Sequence, residues 1–136
     1  MNLTDRELVE QFENCTLPLE CFHHEQHVRV AFLYLCQYPV PAALERFSEA
    51  LRRFAGRHGK AGLYHETITW AYILLIRERM ARGGNRQSWD EFKAKNAELF
   101  ERQPGILKNY YLEETLASEL AKGTFVLPDR LLKLEA

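Results

Sequence analysis

The sequence predicts an all-α fold, a single-domain irregular bundle of about five to seven helices with an extended C-terminal tail. Three observations carry this expectation. Apolar residues recur at helical spacing in several long segments. Two capping boxes, Thr4-Asp5-Arg6-Glu7 and Ser88-Trp89-Asp90-Glu91, mark helix starts. Between the periodic stretches, prolines and glycines punctuate the chain at Pro18, Pro39, Gly59–Gly62, Gly83-Gly84 and Pro104.

The first helix begins at Thr4, where Thr4 and Glu7 satisfy each other's orphan backbone donors, with Leu3 and Leu8 placed as a hydrophobic staple. It runs to about Asn14, and Pro18 ensures a break. The second runs from His23 or His24 to Gln37, stopped by Pro39. Its centre is apolar nearly all round; a buried strand fits too, but the length and Ala31 favour a buried helix. The third starts near Pro41, a good first-turn residue, and carries the stripe Leu44, Phe47, Leu51, Phe54, Ala55 as far as Gly56 or Gly59. After the loop Gly59-Lys60-Ala61-Gly62, a fourth helix spans about His65 to Arg82 with Gly83-Gly84 at its end. The fifth opens at Ser88 and stops before Pro104. One or two short helices follow through Ile106–Tyr111 and Glu113–Lys122, with Gly123 as a C′ residue. The apolar tail Thr124–Asp129 is expected to lie back across the bundle.

The 136 residues match one domain, residues 1–136, since domains cluster around ~100–150 residues. With 46% hydrophobic and 27% charged residues the composition is that of a folded globular chain. A net charge of −1 lacks the basic footprint of a nucleic-acid binder. The longest apolar runs, Val28–Cys36 and Trp70–Ile76, fall short of the ~20 residues that span a bilayer, so no membrane partner is expected. The opening residues lack the pattern of a signal peptide, and three cysteines, Cys15, Cys21 and Cys36, form no paired motif. Together these point to a reducing cytoplasm.

Chemistry concentrates in the histidines. Three of five lie in Phe22-His23-His24-Glu25-Gln26-His27. At about 100° per residue, His24 and His27 share a face with Val28, Ala31 and Leu35, while His23 sits to one side. His65 opens the fourth helix, on a stripe with Thr69, Tyr72 and Ile76. If the second and fourth helices run parallel, both histidine ends meet at one pole. His24, His27 and His65, completed by His23 or Glu66, then make the usual protein complement of an open metal site. Zinc would use such a set to activate water, iron(II) to bind oxygen and substrate. Candidate metal ligands are therefore His23, His24, His27 and His65, and candidate catalytic groups are Glu66, as a general base, and Tyr72. Thr67, Thr69, Tyr64 and Tyr72 are placed to fix imidazole tautomers.

A plainer reading stands beside this one. Histidines at helix starts also serve by bonding backbone groups or capping loops, and a neutral imidazole suits either role. Glu20-Cys21-Phe22-His23 has the E-x-x-H spacing of di-iron bundles but no second copy in the chain. Cys15, Cys21 and His23 are oddly spaced for structural zinc. His58, after Arg52, Arg53 and Arg57, suits a helix C-terminus, and Tyr110-Tyr111 suit packing or the roof of a pocket. The words F-H-H-x-x-H-V-R (Phe22 to Arg29), Y-H-E-T-I-T-x-A-Y (Tyr64 to Tyr72) and F-V-L-P-D (Phe125 to Asp129) resemble an uncharacterised family of small bacterial all-helical proteins. That resemblance covers most of the chain and implies no activity, ligand or partner.

Two functions from different classes follow. One is a metal-binding helical protein, a small metal-dependent hydrolase or non-haem oxygenase using zinc or iron on a small-molecule substrate. The other is a metal-free binding module for a small ligand, or a helical accessory or scaffold protein.

Overall fold

A computed structural model describes residues 2–84, 86–101 and 105–130. Among the described residues there is no strand. Seven helices run in chain order among the described residues: α1 (Asp5–Glu13), α2 (His24–Gln37), α3 (Val40–Arg57), α4 (Glu66–Arg82), α5 (Trp89–Lys95), α6 (Glu113–Leu116) and α7 (Glu119–Gly123). Short 3₁₀ turns at Leu19–Cys21, Ala61–Leu63, Ala97–Phe100 and Gly105–Asn109 join them.

The two capping boxes form. Thr4 Oγ1 accepts from Glu7 N–H (3.1 Å) while Thr4 N–H donates to Glu7 Oε1 (2.9 Å). Ser88 and Glu91 repeat the exchange at α5. Three helices are followed by a residue of positive φ beyond the cap, Gly84 (φ +97°) after α4 and one each after α3 and α1. At α3 this residue is Gly59 (φ +71°), with Lys60 N–H on Ala55 O and Gly59 N–H on Gly56 O. At α1 it is Cys15 (φ +65°), a side-chain-bearing residue in a conformation that favours glycine, with Thr16 N–H on Gln11 O. The three cysteines are unpaired.

The third helix starts one residue before the expected Pro41. Pro39 caps it with extended backbone, and Pro41 falls in the first turn, where its missing N–H goes unnoticed. The fifth helix is shorter than expected: α5 stops at Lys95, and the chain continues as the turn Ala97–Phe100. Pro104, the expected stop, lies outside the described residues. The Glu113–Lys122 segment is two helices, because Ser118 leaves the helical path and caps α7 by accepting from Ala121 N–H (3.1 Å). Gly123 ends α7 rather than lying beyond it.

Helices α2 and α4 pack together at the centre, α3 packs on both, and α1 closes over α2 and α3. Buried residues circle both central helices, Val28, Val30, Ala31, Phe32, Tyr34 and Leu35 on α2 and Thr67, Ala71, Ile73, Leu75 and Ile76 among others on α4. This explains why neither shows a clean polar face in sequence. In contrast α3 buries only Ala43, Phe47, Ser48, Ala50 and Phe54, one stripe of a surface helix. The tail does lie back across the bundle. Thr67 Oγ1 donates to Thr124 O (2.8 Å) and accepts from Val126 N–H (3.0 Å), so a buried hydroxyl pins the extended segment. Phe125 stacks on Trp70 at 5.4 Å, and Tyr111 Oη donates to Val126 O (2.6 Å).

Candidate functional site

A cavity of about 560 Å³ opens between α2, α3 and α4. Such volumes are typical of small-molecule pockets, which run to about 300–1,000 Å³. His23, His24, His27, Val28 and Ala31 line it from the α2 side, with Phe22 just before them. Phe47, Leu51, Phe54 and Ala55 line it from α3; Tyr64, His65, Ile68, Thr69, Tyr72, Ile73 and Ile76 come from the start and body of α4. The rim carries Leu19, Glu20, Lys60 and Leu63, all exposed, Leu63 at 75%.

All four histidines expected at the site therefore share one cavity, and so does Tyr72. Glu66 is not among the lining residues. Its carboxylate accepts from Tyr64 Oη (2.5 Å) and pairs with Arg52 (3.2 Å), and Arg52 also lies over the Tyr64 ring.

The histidines differ in what holds them. His65 is the N-cap of α4: its Nδ1 accepts from Ile68 N–H (3.1 Å) and its Nε2 donates to Leu116 O (2.7 Å). This arrangement fixes one neutral tautomer and engages both ring nitrogens with backbone. His24 Nε2 donates to Leu99 O (2.8 Å), and its ring meets Tyr72 edge-on at 5.0 Å. Burial lowers the His24 pKa, against a smaller opposing push from that carbonyl. His27 lies flat against Phe22, with ring centroids 4.1 Å apart. Burial, then the neighbouring His24 and His23, push its pKa down to about 3, so it is neutral at physiological pH. His23 is exposed, and its backbone N–H donates to Gln26 Oε1 (2.9 Å). Tyr72 and Tyr64 are raised to about 12 by burial, helped by Glu101 and by the Glu66 hydrogen bond respectively. Gly105 (φ +44°) carries its turn close to the Tyr72 hydroxyl, where an added Cβ would come within 3.3 Å.

Among the described residues no three His, Cys, Asp or Glu side chains are grouped to hold a metal ion. His65 would have to surrender a helix cap or a carbonyl to ligate, and Glu66 is tied to Tyr64 and Arg52. As arranged, these residues do not fit a zinc or iron centre.

Several contributors were outside the sequence expectation. Phe22 supplies an aromatic wall, and the carbonyls of Leu99 and Leu116 anchor two imidazoles. Phe22 was signalled by its place beside the histidines and by the Phe47–Phe54 stripe it meets, at 4.9 Å from Phe54. The carbonyls left no signal, because any residue type provides one. No membrane-spanning helix is found among the described residues, none being long and apolar enough. In comparisons with known proteins, no family model, no curated protein and no solved structure matches the chain.

Proposed function

We propose that this protein is a metal-free binding module that holds a small molecule in the cavity between α2, α3 and α4. The observation that supports it best is the cavity itself, walled by Phe22, Phe47, Phe54, Ile73 and Ile76, with a few polar groups converging from His27, Thr69 and Tyr72. Apolar walls with a small number of placed polar groups are the usual composition of a ligand site. Among the described residues the lining offers no activated nucleophile: Thr69 Oγ1 donates to His65 O (2.8 Å), and no cysteine or serine faces the space. Binding therefore accounts for the arrangement better than acyl transfer or hydrolysis through a side-chain nucleophile.

The competing reading, a divalent zinc or iron ion on His23, His24, His27 and His65, rests on sequence spacing. One preparation separates the two. Protein purified without a histidine tag is analysed for metal and then heated with increasing indole. The expected result is no stoichiometric metal and a Tm that climbs with indole concentration, as binding to the folded state alone requires. Stoichiometric zinc or iron, lost in His27→Ala and kept in His58→Ala, would reverse the choice.

A further inference from the structure

The chemistry of the lining also narrows what the cavity holds. We infer that its ligand is an uncharged aromatic molecule, and that the site discriminates against a carboxylate, phosphate or sulfonate of similar shape. This rests on the ligand-binding reading above.

Charge sets the first constraint. Apart from the histidines, only Glu20 and Lys60 among the described lining residues have side chains of charged type; they are opposite in sign, and both stand exposed on the rim. The Arg52 guanidinium, packed over the Tyr64 ring, is paired with Glu66 and does not line the space. An anion moved from water into an apolar cavity needs a paired counter-charge, and without one its desolvation is not repaid. Histidines are the remaining source of positive charge; His23 is exposed to solvent, and burial lowers the pKa of His24. His65 accepts a backbone N–H through Nδ1, which only an unprotonated nitrogen can do, so its present role requires the neutral ring. His27, stacked on Phe22, is kept neutral by burial and by its histidine neighbours. A protonated Nδ1 on His65 could no longer accept the Ile68 N–H.

Shape and surface point to aromatic character. Phe22 stacks on Phe12 at 4.8 Å and tilts against Phe54 at 4.9 Å, so the cavity borders a cluster of rings already packed on one another. Ring faces and edges of this kind favour a further ring by offset or edge-to-face contact. Neutral His27 offers a donor and an acceptor, enough to orient one hydroxyl, amine or carbonyl on such a ligand.

A matched pair of dyes tests this. N-phenylnaphthylamine is uncharged, and anilinonaphthalene sulfonate is the same scaffold bearing a sulfonate. Fluorescence titration at neutral pH is expected to show one saturable site per chain for the uncharged dye. Its Kd should be at least about tenfold lower than that of the sulfonate, a difference of about 1.4 kcal/mol. Lys60→Ala should leave the uncharged dye's Kd within about twofold, because a rim charge has little hold on a neutral ligand. Ala31→Phe should abolish the site by filling it, with helical circular dichroism confirming the fold; Ala55→Phe, at a less buried position, serves if Ala31→Phe does not fold. Equal or tighter binding of the sulfonate at one site per chain overturns the charge class and leaves the ligand-binding reading standing. Absence of saturable binding by either dye overturns that reading as well. Dye binding undiminished in a folded cavity-filled variant places the dye elsewhere and defeats the inference.

Discussion

Helices α2 and α4 both begin with a histidine at the N-cap and both open onto the same cavity, yet the two ends are built differently. At α4, His65 is integrated into the backbone: one ring nitrogen receives Ile68 N–H and the other reaches Leu116 O. At α2, the N-cap His23 is exposed, and the imidazole stacked against Phe22 belongs to His27, four residues further on. One end uses histidine as a polar clasp between chain segments. The other uses it as a neutral, polarisable wall of an apolar space. At the two N-caps, His23 and His65, residue type and helical position were the same signal; the difference lies in what each ring meets across the fold.

The largest effect that would sharpen this contrast belongs to the α2 end. Phe22→Ala removes the surface on which His27 stacks and opens the ring cluster with Phe12 and Phe54. It should cost about 3–5 kcal/mol in urea unfolding. A loss below about 1 kcal/mol would mean that the His27 wall is not held by packing.

Acid should also act chiefly there. His27 has its folded pKa depressed from 6.5 to about 3, so it is neutral when folded while the unfolded chain protonates below its ordinary value. Between those limits the unfolded state binds a proton that the folded state does not. Stability is therefore full above about pH 6.5 and falls as pH drops towards 3, by up to about 1.4 kcal/mol per pH unit. His24, lowered in the same direction, adds to the slope. Urea midpoints measured at successive pH values should decline less steeply in His27→Gln; an unchanged slope would remove His27 from the account.

At the α4 end the effect is that of a cap. His65→Ala should cost about 1–2 kcal/mol, and His65→Asn should restore part of it, since asparagine also accepts the N-terminal N–H. Equal losses in both variants would shift the weight to the Leu116 contact. The smallest change is expected at His23, whose ring is exposed: His23→Ala should cost less than about 1 kcal/mol and less than His65→Ala. A reversal of that order would break the comparison.

The helices were legible because their signals are local. Capping residues, glycine stops and the Phe47–Phe54 stripe act within a turn or two, and α1, α2, α3 and α4 fall within a residue or so of expectation. The grouping of His23, His24, His27 and His65 at one cavity was legible too, from helix faces and the α3 return. The roles were harder to read. Whether an imidazole meets a carbonyl, a phenyl ring or open space depends on residues 51 or 75 positions away, as with His65 and Leu116 or His24 and Leu99. Glu66 illustrates the same gap, since nothing local announces that Arg52 will claim it. The division of Glu113–Lys122 was missed because Ser118 acts as a cap only when the chain turns there.

The separations also have a kinetic meaning. Thr67 waits for Thr124 and Val126, and His65 for Leu116, so the tail side of α4 is finished by chain made much later than α4 itself. At roughly 5–20 residues per second of synthesis, the 51 positions between His65 and Leu116 correspond to about 3–10 s. During that interval the buried Thr67 hydroxyl and the Trp70 ring lack the segment that later covers them. A nascent chain held at that stage should already own its α2–α3 hairpin, whose contacts are short-range, while Trp70 stays open to solvent and to chaperones until the C-terminal segment arrives.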